Sequence, residues 1–163
     1  MIDCQNALMA GHKRPRLLDE VSKLIIEQLQ RDGRRSYADI GKAVGLSEAA
    51  VRQRVQKLTD QGVLQIVAVT DPLQLGFHRQ AMVGIRVEGD PREVAKKLET
   101  IKAIDYLVLS TGRFDILAEM VARDDEEMTE LLFGQIRTIP GVIATETFTY
   151  LELRKQHYNW GTP

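Results

Sequence analysis

The chain has 163 residues, enough for one medium domain or two small ones with a core that needs no covalent staples. Hydrophobic residues make up 44% and charged residues 28%, with 5 Pro and 12 Gly, which excludes a disordered or collagen-like chain. The net charge of -1 conceals a split: residues 1–69 hold 11 Lys and Arg against 8 Asp and Glu, while residues 70–163 hold 11 against 15. That asymmetry fits a polyanion-binding half joined to a half with another task.

No run approaches the roughly 18 apolar residues of a membrane span, and the N-terminus lacks the basic-then-apolar order of a secretory signal. A soluble, cytoplasmic protein without membrane contact is expected. Cys4 has no internal partner, and His12, His78 and His157 are too scattered for metal-ligand spacing, so no metal or cofactor is expected.

Residues 1–16 show no apolar period and contain the basic run His12-Lys13-Arg14-Pro15-Arg16, read as a flexible arm that is either a solvated tail or a contact to phosphates or a minor groove. A first helix follows Asp19 as N-cap, with Val21, Leu24, Ile25 and Leu29 at helical spacing and Gly33 at its close. Ser36-Tyr37-Ala38-Asp39 forms a capping box that opens a short second helix with Ile40 and Val44 inward and Gly45 as its left-handed end. Ser47 caps a third helix reaching about residue 61, and Leu46 is placed to staple onto Val51. Two helices joined by a tight glycine turn make a helix-turn-helix in a domain spanning 17–62.

Val51, Val55 and Leu58 define the inward side of the third helix. Ala49, Arg52, Gln53, Gln56 and Lys57 project the other way, with Arg54 on the flank and Ser47 at the start. Amides suit adenine, guanidinium suits guanine, and a small Ala admits a thymine methyl or close backbone approach. Arg34, Arg35, Arg54 and Lys57 then sit over phosphates of double-stranded DNA. The alternative is that Arg, Gln and Lys merely keep an exposed helix soluble; the capped three-helix order favours the DNA reading.

Residues 63–78 read as a linker: a strand over 63–70, then a turn at Asp71-Pro72. From 79 onward the periods give a strand at 81–87, a helix opened by Asp90-Pro91, strands at 106–110 and 116–121 around the loop Thr111-Gly112-Arg113-Phe114-Asp115, a helix over 125–139 and a strand over 142–153. The expected fold class is α+β, a winged helix-turn-helix followed by a ferredoxin-like βαββαβ domain. Helices cover one face of its sheet, and nothing remains in the chain to cover the other. Self-association into a homodimer is the expected solution, and it places two recognition helices on one near-palindromic DNA site.

In its segments "LLDEVSKLIIEQLQRDGRRSYADIGKAVGLSEAAVRQRVQKLTDQGVL", "TGRFDILAEM" and "IRTIPGVIATETFTYLEL", in that order and spacing, the chain resembles the Lrp/AsnC (leucine-responsive and asparagine regulator) family of transcription regulators. The resemblance implies an N-terminal DNA-binding domain and a C-terminal domain that assembles dimers into octamers or larger discs and binds small effectors, usually amino acids. It further implies a hinge at Thr70-Asp71-Pro72 and an effector pocket that includes the 111–115 loop. Many relatives carry Tyr where this chain has Phe114.

An amino acid presents a carboxylate and an ammonium, so its pocket needs amide donors and an anionic acceptor. Gly112 lets backbone amides approach the first, and Asp115 offers itself to the second, with Thr111, Arg113 and Phe114 alongside. The alternative is that Gly112 supplies a positive φ in a hairpin and Asp115 bonds its own turn. Because family sites often lie between dimers, Arg137 and Thr138 are further candidates. Two rival functions stand beside a DNA-binding, effector-responsive regulator that is not an enzyme. One is a tetrapyrrole (siroheme-type) decarboxylase of similar architecture, using His78 or His157. The other is an amino-acid-sensing module that acts through another protein.

Overall fold

A capping side chain starts each helix of the N-terminal unit. The computed structural model describes residues 18–157 and 161–162, so the basic run at 12–16 lies outside the described residues. Helix α1 (Glu20–Arg31) begins where the Asp19 carboxylate accepts from the Ser22 amide at 2.7 Å. Helix α2 (Tyr37–Val44) begins at Ser36, whose hydroxyl accepts from the Asp39 amide and donates to Asp39 Oδ2. Helix α3 (Glu48–Asp60) begins at Ser47, which accepts from the Ala50 amide. Ile25, Leu29, Ile40, Val51 and Val55 form the core these helices share, with Leu46 packed against it. The α1 stripe differs from its expected form in one place: Leu24 is exposed, whereas Ile26 and Ser22 are buried.

Residues 63–70 are not a strand, contrary to expectation. A strand exists through its hydrogen-bonded neighbour, and here the first amides, of Val63 and Leu64, both turn back to the Leu58 carbonyl in the last turn of α3. Asp71 then caps a single 3₁₀ turn, Pro72–Leu75, with Pro at its start.

The second unit is built on a four-stranded antiparallel sheet in the order β2-β3-β1-β4. Its elements are β1 (Arg79–Val87), α4 (Pro91–Leu98), β2 (Ile104–Leu109), β3 (Ile116–Ala122), α5 (Asp125–Thr129) and β4 (Val142–Thr149), the expected βαββαβ sequence. Val83 and Ile85 of β1, Ala118 and Met120 of β3, Val94 and Leu98 of α4, and Leu131 and Ile136 form the core between sheet and helices. By register, Met82 sits beside Phe148 and Glu119, and Gly84 beside Glu146 and Leu117, on the opposite face. Tyr106 and Phe148 are 53% and 45% exposed, so this face keeps aromatic surface in water.

Strands β1 and β2 each begin two residues earlier than expected, and two later elements differ further. The helix read over 125–139 is a five-residue α-helix followed by a π-helical segment, Glu130–Ile136, in which the Arg137 amide reaches back five residues to the Leu132 carbonyl. Helical periodicity does not distinguish the two windings, because both bury Leu131 and Ile136. The last strand ends at Thr149, and Leu151 beyond it is 96% exposed.

The chain divides into two compact units, 1–68 together with 156–163, and 69–155. The return of the C-terminal residues to the first unit includes a 2.7 Å hydrogen bond from the Thr162 hydroxyl to Glu27 Oε1 on α1.

Candidate functional site

The turn between α2 and α3 is held by backbone proximity. Gly45 takes a φ of 72°, and the Leu46 amide bonds the Gly41 carbonyl. A Cβ on Gly41 would stand 2.5 Å from the Leu46 carbonyl oxygen, so only glycine lets the helices meet so closely. With Val51, Val55 and Leu58 buried, the opposite side of α3 presents Ala49, Arg52, Gln53, Gln56 and Lys57 to solvent.

These side chains are not equally available. Arg52 pairs with Glu48 one turn earlier at 2.8 Å and lies 5.2 Å over the Tyr37 ring, which presets its direction. Gln56 donates to Asp60 at 2.7 Å, and Arg35 donates to Gln28. Ser47 spends its hydroxyl on the cap. Arg54 is engaged within the domain: it bonds Asp19 at 2.7 Å and Ser22 Oγ at 3.2 Å, tying α3 to the start of α1. These bonds hold the Asp19 carboxyl down to about 2, Arg54 contributing most and Ser22 next. Gln53 and Lys57 remain exposed along a shallow cleft of about 430 Å³ that also includes Arg54 and Gln61, and Arg34 is exposed just before α2. Sequence reasoning missed the Tyr37 and Asp19 contacts, because neither follows from spacing along one helix.

The 111–115 loop closes a hairpin: the Ser110 hydroxyl donates to the Phe114 carbonyl, and the Ser110 amide to the Asp115 carbonyl. Gly112 has a φ of 121° and is exposed, as is Thr111. Phe114 lies flat on the sheet where Gly84 leaves room; a Cβ there would come within 2.7 Å of the ring. Phe148 meets Phe114 edge-on at 6.0 Å, and Arg113 stacks over it at 5.4 Å while pairing with Glu146 at 2.8 Å. The Asp115 Oδ2 accepts from the Val87 amide at 2.7 Å, beside the irregularity that breaks the β1–β4 register. Its carboxylate therefore has a structural task across strands, which leaves Oδ1 for a ligand. Arg137 stacks over Phe133, and Thr138 bonds the Gly134 and Gln135 carbonyls. Among the described residues no hydrogen bond or ion pair joins these two to the loop.

Comparison with known proteins finds two family models along the chain. Residues 18–59 match the model of the AsnC-type helix-turn-helix domain, and residues 80–160 match that of the Lrp/AsnC ligand binding domain. An uncharacterized HTH-type transcriptional regulator of Pyrococcus furiosus is 35% identical over 144 residues, covering 87% of this chain and 97% of that protein. The chain belongs to the Lrp/AsnC family. The HTH-type transcriptional regulator LrpA of Pyrococcus horikoshii is 34% identical over 128 residues, covering 77% of this chain and 91% of its own length. Among solved structures, E. coli AsnC matches at a TM-score of 0.76 and 25% identity, over 88% of this chain and 98% of that one. A transcriptional regulator of Neisseria meningitidis in complex with L-Met matches in fold at a TM-score of 0.76 and 20% identity, over 90% and 96%.

This Lrp/AsnC protein is thus a transcriptional regulator with a DNA-binding and a ligand-binding domain, and not an enzyme. The decarboxylase alternative finds no support in these relatives, and its two histidines, His78 and His157, belong to different compact units. Among the described residues, no helix is long and apolar enough to cross a membrane.

Proposed function

We propose that this regulator reads double-stranded DNA through the exposed face of α3 and responds to an amino acid bound at the 111–115 loop. The observation that carries the first part is the availability of Gln53 and Lys57, exposed and, among the described residues, unpaired on a capped helix whose other face is buried. Gln53 and the preset Arg52 face base edges; Lys57 and Arg34 face phosphates. Arg35, Arg54, Gln56 and Ser47 shape that face from within the domain, and Ala49 gives the helix start its close approach. Residues 17–62 carry DNA binding, 63–78 act as connector and hinge, and, of the stretch 79–163 expected to form the second domain, 79–155 bind the effector and assemble the cytoplasmic protein while 156–163 fall in the first unit.

The amino-acid reading rests on the donor and acceptor chemistry of Gly112 and Asp115 and on the L-Met bound by the Neisseria regulator. The exposed aromatic face of the sheet supports a homodimer that builds toward an octamer, with Arg137 and Thr138 meeting the loop of a neighbouring dimer. Recovery of bound genomic DNA supplies the operator for the test. On it, Gln53→Ala is expected to cost about 1–3 kcal/mol and relax sequence preference, while Lys57→Ala weakens all DNA alike. Unchanged specific binding by Gln53→Ala and Arg52→Ala refutes the assignment. Asp115→Asn keeps an acceptor for Val87 and removes the charge, so calorimetric binding of the amino acid should vanish while the fold stays.

A further inference from the structure

A cleft of about 810 Å³ opens in the sheet domain, away from the 111–115 loop. It includes Val121, near the end of β3, whereas the loop precedes Ile116. At about 3.3 Å per strand residue the two places are roughly 17 Å apart. Its buried floor is apolar, Leu131 and Val121, and Leu75 and Phe77 of the connector form another wall.

Of the charged residues lining this cleft, Glu127 is paired with Arg123 at 3.0 Å, whereas among the described residues Lys102 and Asp105 are not paired. Ile104 pairs with Met120 and Tyr106 with Glu119, which leaves Asp105 as the extra residue of a β-bulge. A bulge redirects a side chain, and that of Asp105 lines the cleft. Among the described residues the exposed side chain of Asp105 has no hydrogen bond or ion pair, and neither has that of Lys102, which also lines the cleft. Partial burial, and then the charge of Glu119, raise the Asp105 carboxyl above its usual range. Beside the like charge of Glu119, a cation brought to Asp105 is favoured.

We propose that this cleft is a second small-molecule site, selective for a primary ammonium on a short apolar body, with Asp105 receiving the ammonium and Leu75, Phe77 and Leu131 enclosing the apolar part. Lys102 decides between two sources of that chemistry, since its ammonium favours a ligand that also carries a carboxylate. Because Leu75 and Phe77 belong to the connector, an occupied cleft fastens the connector to the sheet domain. The site is independent of the 111–115 reading.

The full chain is digested with chymotrypsin in the absence and presence of millimolar L-leucine or isoamylamine, and cleavage at Leu73, Leu75 and Phe77 is followed by mass spectrometry. Both probes should slow cleavage there by about threefold or more. Asp105→Asn should abolish the protection and weaken calorimetric binding at this site by about tenfold or more. Lys102→Ala should weaken L-leucine and spare isoamylamine, and Asp115→Asn should leave protection intact. Should Asp105→Asn not fold, Leu75→Glu, at an exposed position, places a carboxylate on the apolar wall and should remove protection at Phe77. Absence of protection by either probe, protection that survives both Asp105→Asn and Leu75→Glu, or protection lost with Asp115→Asn overturns the proposal.

Discussion

Replacing Arg54 with Met keeps the aliphatic stem of the side chain and removes the guanidinium that spans from α3 to the start of α1. Two bonds are lost, 2.7 Å to Asp19 and 3.2 Å to Ser22 Oγ. The cap itself survives, because Asp19 Oδ1 still accepts from the Ser22 amide. The ion pair is 36% and 57% exposed, so solvent screening limits it to about 0.2–1 kcal/mol. Ser22 is buried, at 7% exposure; losing the donor to its hydroxyl adds about 0.5–1 kcal/mol, softened if the hydroxyl turns to a carbonyl one turn back. The expected loss is about 1–2 kcal/mol in urea denaturation followed by circular dichroism. Asp19→Ala should cost more, since the cap alone contributes about 1 kcal/mol, and the double variant should lose less than the two singles added together.

The pH dependence has a definite sign. Asp19 titrates at about 2 in the folded protein against an ordinary 3.8, so the unfolded chain binds more protons between those values. The stability from this contact is complete above about pH 4 and is lost as pH falls through about 2. The gap between the parent and Arg54→Met should therefore narrow across that window. On DNA, the same variant should leave the slope of log K against log salt unchanged, whereas removal of a phosphate contact would lower it by about 1. Additive single variants, a stability gap constant down to pH 2, or a reduced salt slope refutes the assignment of Arg54 to the fold.

Gly84→Ala forces the Phe114 ring off the sheet, and a loss of about 1–3 kcal/mol is expected; a variant as stable as the parent in thermal melts contradicts the packing. Gly41→Ala meets a backbone oxygen that cannot step aside, so it should cost more than about 2 kcal/mol and abolish operator binding in gel shifts. Ser47→Ala should lose about 1 kcal/mol of stability. Ser47→Asp should restore it while weakening DNA affinity by anisotropy, because a second acceptor-rich cap serves the helix but repels phosphate.

The helix-turn-helix was legible because its signals are local: Ser36, Ser47 and Gly45 each act within four residues of themselves. The order of the sheet domain was legible for the same reason, through Asp90-Pro91 and the alternation of β1. Residues 63–70 misled because Val and Ile favour a strand without supplying its neighbour. The π-helical winding of 130–136 was hidden because the buried positions suit either helix. At the candidate sites the exposed side of α3 was readable from Val51, Val55 and Leu58, but the occupation of Arg54 by Asp19, 35 residues away, was not. The same holds for the Asp115 bond to Val87, which depends on a strand pairing, and for the bulge that turns out Asp105.

The hydrogen bond between Thr162 and Glu27 makes the DNA-binding half a discontinuous domain, with the whole sheet domain inserted between its two pieces. The covalent chain passes from one half to the other twice, around 68–69 and again around 155–156. A cut in the first crossing leaves the second intact, and the C-terminal fragment keeps the residues that dock on α1. A fragment that stops at 68 begins life without part of its own domain, and the proper excision of the DNA-binding half takes both ends of the gene.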